Sequence, residues 1–217
     1  MRLIKTSIDF LGSKNADGVV LLGSWCISEE MISQREKYTT VHYHWDNREK
    51  YNADYIFLTT LYEKTLIRLT RALNEIHNLK KNINYWRIII GPWLRFFIDA
   101  LFDRYECVKE AKQFDGLNSC NILPYDLENW TVDDFADFYN DLVSDEWNEV
   151  IFSECIKYQG LSYIEITHSP MQPYRDPKKP LKIDRKIKNI LKIIIIRYAK
   201  FLTKYKKGIV FGMGSKS

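Results

Sequence analysis

Four consecutive apolar residues, Val19-Val20-Leu21-Leu22, end at Gly23-Ser24, and no other feature narrows the fold as much. A strand that is apolar at every position must be covered on both faces, the condition of a parallel sheet between helices. Glycine then turns the chain at the strand's carboxyl end, where α/β folds bind their ligands. Ser24, Trp25 and Cys26 therefore stand at a candidate binding edge. Val41 to Trp45 reads as a second strand, closed by the turn-forming Asp46-Asn47. The fold class is α/β.

The helices follow from periodicity. From about Asn52 to His77, Tyr55, Leu58, Tyr62, Leu66, Leu69, Leu73 and Ile76 recur at spacings of three and four, with Glu63, Lys64, Arg68 and Arg71 on the other face. Gly91-Pro92 punctuates the next stretch, and proline suits the first turn of a helix running from Trp93 to about Glu110. Phe96, Phe97, Ile98, Leu101 and Phe102 make that helix apolar almost all round, hence central. A short strand is expected near Asn121 to Leu123. Thr131 then caps a helix whose first turn holds Asp133-Asp134. A last helix spans Asp145 to Gln159 and stops at Gly160. Residues 126–149 carry nine acids and no Lys or Arg, most of them a solvated face beside the stripe Phe135, Phe138, Tyr139 and Leu142.

Charge divides the chain. Residues 171–217 hold 14 Lys/Arg against 2 Asp/Glu, a balance of +12, which leaves 18 basic and 26 acidic residues, or −8, in 1–170. The overall +4 hides an acidic body and a basic tail. Ser169 to Pro180 holds four of the six prolines and reads as an extended linker. Beyond it, Ile183, Ile187, Ile190, Leu191, Ile194, Tyr198, Phe201 and Tyr205 form a stripe on a basic helix, 182–207, followed by the strand-like Gly208 to Gly212. Such a helix suits an anionic membrane surface or the acidic body itself; the apolar stripe and the lack of any recognised motif argue against nucleic acid.

The longest uninterrupted aliphatic runs, Val19 to Leu22 and Ile193 to Ile196, are far short of the ~20 residues of a membrane-spanning helix. The N-terminus has no apolar core of signal-peptide length, and Cys26, Cys107, Cys120 and Cys155 show neither CxxC pairing nor zinc spacing. A cytoplasmic protein with reduced thiols and no metal is expected. Neither GxGxxG nor GxxxxGK[ST] occurs, so no dinucleotide or P-loop site is signalled.

Five blocks appear in order: LLGSWC (21–26), HYHWDNR (42–48), LNEIH (73–77), YWRIIIGPWL (85–94) and FDRY (102–105). Together they resemble a bacterial family of transferases from surface-carbohydrate (O-antigen) loci, over about residues 19–160. The resemblance implies a Rossmann-like N-terminal domain of a GT-B-type glycosyltransferase. It places an acceptor-side domain at 1–168, the linker at 169–181, and in 182–217 the basic helix and the start of a second domain. A nucleotide-sugar donor would belong to that second, C-terminal half, present here only as a separate partner, and the residues at hand would bind no cofactor. The acceptor would be a sugar or a lipid-linked sugar at the inner membrane.

The densest polar cluster is His42, His44 and Asp46, at i, i+2 and i+4. On an extended segment all three leave one face, with Tyr43 and Trp45 on the other. Glycosyl transfer needs a base for the acceptor hydroxyl, and His44 and Asp46 are the candidates, with Arg48 beside them to balance charge. The plainer alternative is a strand end with surface histidines and an Asp-Asn turn. Two further readings take the three residues as metal ligands, or Cys26 as a nucleophile served by His42 or His44. A second constellation is Trp86, Arg87, Trp93 and Arg95. Its indoles, like that of Trp25, would stack on a sugar while Arg meets phosphate. The competing view makes both tryptophans core and pairs Arg87 with a buried acid such as Asp103. Asp103-Arg104 reads as a structural ion pair.

Overall fold

A computed structural model describes residues 1–10, 18–28, 32–33, 37–132 and 134–173. Five parallel strands form one sheet: β1 (Arg2–Ile4), β2 (Val19–Leu21), β3 (Thr39–Thr40), β4 (Ser119–Ile122) and β5 (Tyr163–Glu165). Their order is β3-β2-β1-β4-β5, with Leu3 opposite both Val20 and Cys120. The α-helices are α1 (Ser7–Phe10), α2 (Arg48–Ile76), α3 (Ile83–Lys112), α4 (Phe135–Leu142) and α5 (Asp145–Gln159), with 3₁₀ turns at Ser24–Cys26 and Leu127–Trp130. This mixed α/β sheet with parallel strands is consistent with a Rossmann-like fold. Leu3, Ile4, Val20 and Leu21 are fully buried, as a strand covered on both faces requires.

The chain lays β1, β2 and β3 to one side, then crosses through α2 and α3 to lay β4 and β5 on the other. The order thus reverses between β1 and β4, the place where open α/β sheets leave a crevice. Here that crevice is plugged by protein. Lys5, at the carboxyl end of β1, is wholly buried and sends its ammonium to Asp9 (3.2 Å), to Glu149 of α5 (2.9 Å) and to the Asn121 carbonyl of β4. Thr6 donates to the same Glu149 at 2.9 Å.

Helix α3 is continuous through Pro92, where the Gly91-Pro92 pair had suggested a start. Proline there removes the bond to the Ile88 carbonyl, a loss of ~3 kcal/mol in a helix interior. Pro92 lies on the solvent face and Ile88 is 80% exposed, so water can take that carbonyl. The opposite face stays buried through Leu94, Phe97, Ile98, Leu101 and Phe102. Gly91 leaves room for α2: a Cβ there would lie 2.7 Å from the Tyr62 hydroxyl, and that side chain would have to shift.

Helix α2 starts at Arg48, because the Asn47 side chain accepts from the Lys50 amide and caps it. Asp134, rather than Thr131, caps α4; the Thr131 hydroxyl donates instead to the Glu128 carbonyl, at the end of the 3₁₀ turn. Helix α5 runs as expected, from its Ser144 cap to Gly160 in the left-handed region at φ 67°. The extended segment before α2 ends at Tyr43, whose carbonyl accepts from the Asp46 amide at 3.1 Å in a turn. That turn breaks the alternation expected over 41–45, so His42 and Asp46 are exposed while His44 is buried. Among the described residues no helix is long and apolar enough to cross a membrane. The Pro-rich segment is held at its start by the Met171 amide, which donates to the Pro124 carbonyl at 2.9 Å. Residues 174–181, and the whole basic segment 182–217, lie outside the described residues.

Candidate functional site

A cleft of about 620 Å³ opens over the carboxyl ends of β2 and β3. Gly23, Ser24 and Trp25 come from the exit of β2, and Thr40 to Tyr43 with Asp46 from the exit of β3. Asp103 and Arg104 of α3 form its floor, and Asp145, Asn148 and Phe152 of α5 its far wall.

Trp25 is the aromatic surface of this cleft. Its indole N–H donates to the Lys5 carbonyl at 3.1 Å, and its ring lies parallel to that of Phe152 (2°, centroids 6.4 Å apart). Forty per cent of the residue remains exposed. Gly23 makes this placement possible, since a Cβ there would sit 2.2 Å from the indole. At the mouth, His42 Nε2 stands 3.8 Å from Asp46 Oδ2, with both side chains largely in solvent.

The floor is a connected polar network. Asp103 Oδ1 accepts from the Tyr43 hydroxyl (2.7 Å) and from His44 Nε2 (3.1 Å), and Asp103 Oδ2 accepts from Arg104. Arg104 Nε also donates to Asn148 Oδ1 at 3.0 Å. Below, Lys50 Nζ meets His44 Nδ1 at 3.3 Å and pairs with Asp54 and with Glu106 (3.0 Å). An ammonium only donates, so Nδ1 must accept, and the ring proton sits on Nε2 facing Asp103. His44 therefore fixes a carboxylate from beneath and does not reach the cleft.

Burial alone would raise the Asp103 pKa, but the His44 hydrogen bond, the Arg104 charge and the Tyr43 hydroxyl outweigh it and hold it below the ordinary carboxylate range. The unfolded chain then takes up a proton on Asp103 at higher pH than the folded one does. The stability it contributes is full above the unfolded value, near ~3.9, and is lost as pH falls through the lower folded value. Asp103→Asn should therefore lower stability at neutral pH and flatten the acid limb below about pH 4. Urea melts of both proteins across pH 2–7 check this, and parallel acid limbs would refute it.

A model of LIC12162 family transferases matches residues 1–214. The chain belongs to that family. No curated protein and no solved structure matches it.

In this LIC12162 family transferase the other residues singled out by sequence lie away from the cleft. Trp86 is buried, donates to Asn74 Oδ1 at 3.0 Å and stacks on His77. Arg87 forms two bonds with Glu63, at 2.6 and 2.8 Å, rather than meeting Asp103. Trp93 stacks on Phe97 with centroids 5.2 Å apart and meets Phe138 edge-on. Arg95 pairs with Asp99 at 2.7 Å, and the Arg48 guanidinium lies over the Tyr51 ring. Cys26 is buried with Sγ against the Ile4 carbonyl at 3.3 Å, and burial pushes its thiol up to about 12. Buried against a backbone carbonyl and held as a thiol, it does not suit the nucleophile reading.

His44, Asp103 and Cys107 bring donor atoms within 4.8 Å of one another, the one such group among the described residues. A metal at Nε2 would move the ring proton to Nδ1, against the Lys50 ammonium. Ligating histidines instead turn their second nitrogen to an acceptor. The donor set fits a hydrogen-bonded floor and not a metal centre.

Tyr43, Asp103, Arg104, Asp145 and Asn148 were not singled out as site residues. Asp103-Arg104 is the ion pair expected, yet it also lines the cleft. The available signal was the placement of Tyr43 beside a strand end and of the 102–105 block in a central helix. Nothing in one sequence joins Tyr43 to a residue on α3.

Proposed function

We propose that the chain is the acceptor-side half of a glycosyltransferase-like enzyme of surface-polysaccharide (O-antigen) synthesis, with GT-B architecture. The observation that carries this reading is Trp25. It is a half-open indole clamped on Phe152 at a strand's carboxyl end, across a cleft from the exposed His42–Asp46 pair. Aromatic faces of this kind stack on the apolar face of a sugar ring, and carboxylates accept from its hydroxyls. The acceptor hydroxyl gives its proton to Asp46, which His42 orients. The freed oxygen bonds to the anomeric carbon of the donor, whose bond to the nucleoside diphosphate breaks with the electron pair leaving on phosphate oxygen. The nucleotide-sugar donor is assigned to a second, C-terminal half. His44 acts as a positioning residue for Asp103, beneath the acceptor.

Trp25→Ala, which deletes the platform, and Gly23→Ala, which displaces it, should each raise the acceptor KM by roughly tenfold, the loss of one stacked aromatic contact. Radiolabelled nucleotide sugars supplied to a full-length family protein with these substitutions give the measurement. Unchanged KM in both variants would sink the acceptor assignment.

A further inference from the structure

The charges around the cleft specify more than a sugar. Among the described residues, three carboxylates line it, Asp46, Asp103 and Asp145, against one guanidinium, Arg104. Arg104 is already engaged by Asp103 and Asn148. Among the described residues the other nearby cations are engaged elsewhere: Lys50 lies under the floor with Asp54 and Glu106, Lys5 is enclosed by Asp9 and Glu149, and the Arg48 guanidinium lies over the Tyr51 ring. His42 adds a positive charge only when protonated, and then beside Asp46. Asp145 accepts from Ser7, which leaves its negative charge in place. A ligand phosphate or carboxylate would bring acceptors against acceptors. A ring bearing only hydroxyls brings donors to all three carboxylates and an apolar face to Trp25.

We infer that the cleft selects an uncharged sugar ring and turns away phosphorylated and carboxylated sugars; this rests on the sugar-acceptor reading above. The diphosphate of a donor is turned away for the same reason.

Ligand-observed NMR titrations of the full chain test the charge selection directly. The neutral probes are methyl glucopyranoside and methyl N-acetylglucosaminide; the anionic ones are glucose 6-phosphate and glucuronate. The neutral pair should bind more tightly by on the order of tenfold, with the gap narrowing in high salt. Asp46→Asn, a substitution at an exposed position, should narrow the gap further, and Trp25→Ala should abolish binding of the neutral pair. Equal or tighter binding of the anionic sugars overturns the charge selection and leaves the acceptor reading standing. Binding that survives Trp25→Ala puts the sugars outside the cleft and overturns the inference. Failure of every sugar to bind overturns the acceptor reading itself.

Discussion

Replacing Lys5 with methionine is expected to lower the unfolding free energy by about 3–5 kcal/mol, the usual cost of breaking a buried ion pair from one side. Burial alone would push the Lys5 pKa down, but Glu149 and Asp9 outweigh it and hold it raised, so the group stays an ammonium. Removing it strands two carboxylates in a region that excludes water. Burial already raises the Glu149 pKa, against the opposing charge of Lys5, and without Lys5 the Thr6 hydrogen bond is the one lowering influence left of those acting on it. A carboxylate whose folded pKa lies above its unfolded one supports folding below the unfolded value, near ~4.3, and loses that support as pH rises. The deficit of Lys5→Met should therefore shrink toward acid pH. Adding Glu149→Gln should restore part of the loss, as coupled neighbours do. Urea denaturation of the two variants and the parent measures all three effects. A Lys5→Met protein as stable as the parent would mean that the plug between β1 and β4 does not hold the sheet.

The largest functional effect is expected at Asp46. Asp46→Ala should lower kcat for transfer by about 10²–10⁴, the range for loss of a general base. Its side chain is largely exposed, so stability should change by no more than about 0.5 kcal/mol. His44→Ala makes the contrast. Fully enclosed between Asp103 and Lys50, it should cost stability first and activity only through the displaced Asp103. Transfer rates and melting curves on both variants separate the two roles. Wild-type kcat in Asp46→Ala would move the base elsewhere.

These two residues also mark how far sequence reasoning reaches. Patterns confined to one element were readable. Val19 to Leu21 is apolar throughout and is buried throughout, and α5 carries both its cap and its terminating glycine in plain view. What failed depended on partners distant in the chain. Strand β1 was missed because Leu3-Ile4 is followed by Lys5, a residue that stays out of cores unless carboxylates from elsewhere meet it. Pro92 was read as a boundary because its tolerance depends on which face of α3 meets solvent. His42, His44 and Asp46 were aligned by a period of two that holds only while the chain stays extended. A turn at Tyr43 sends His44 inward and keeps the other two at the cleft mouth. The cleft itself joins residues of two loops and two helices, and no spacing in one sequence encodes that meeting.

The central pairing of the sheet bears on the order of folding. Leu3 of β1 joins Cys120 of β4, and between them the chain must complete β2, β3 and the whole α2–α3 hairpin. The hairpin contacts are local, closed by a short turn, whereas the β1–β4 contact closes a loop of more than half the chain. During synthesis β1 and β2 can pair at once, but one edge of β1 stays open until β4 leaves the ribosome. Pulse-labelled hydrogen exchange during refolding should therefore protect amides of α2 and α3 before that of Cys120, which donates to the Ser162 carbonyl, just ahead of β5, only in the finished sheet. Simultaneous protection would mean that the sheet and the hairpin form in one step. The strand that anchors the buried lysine is thus made first and secured last.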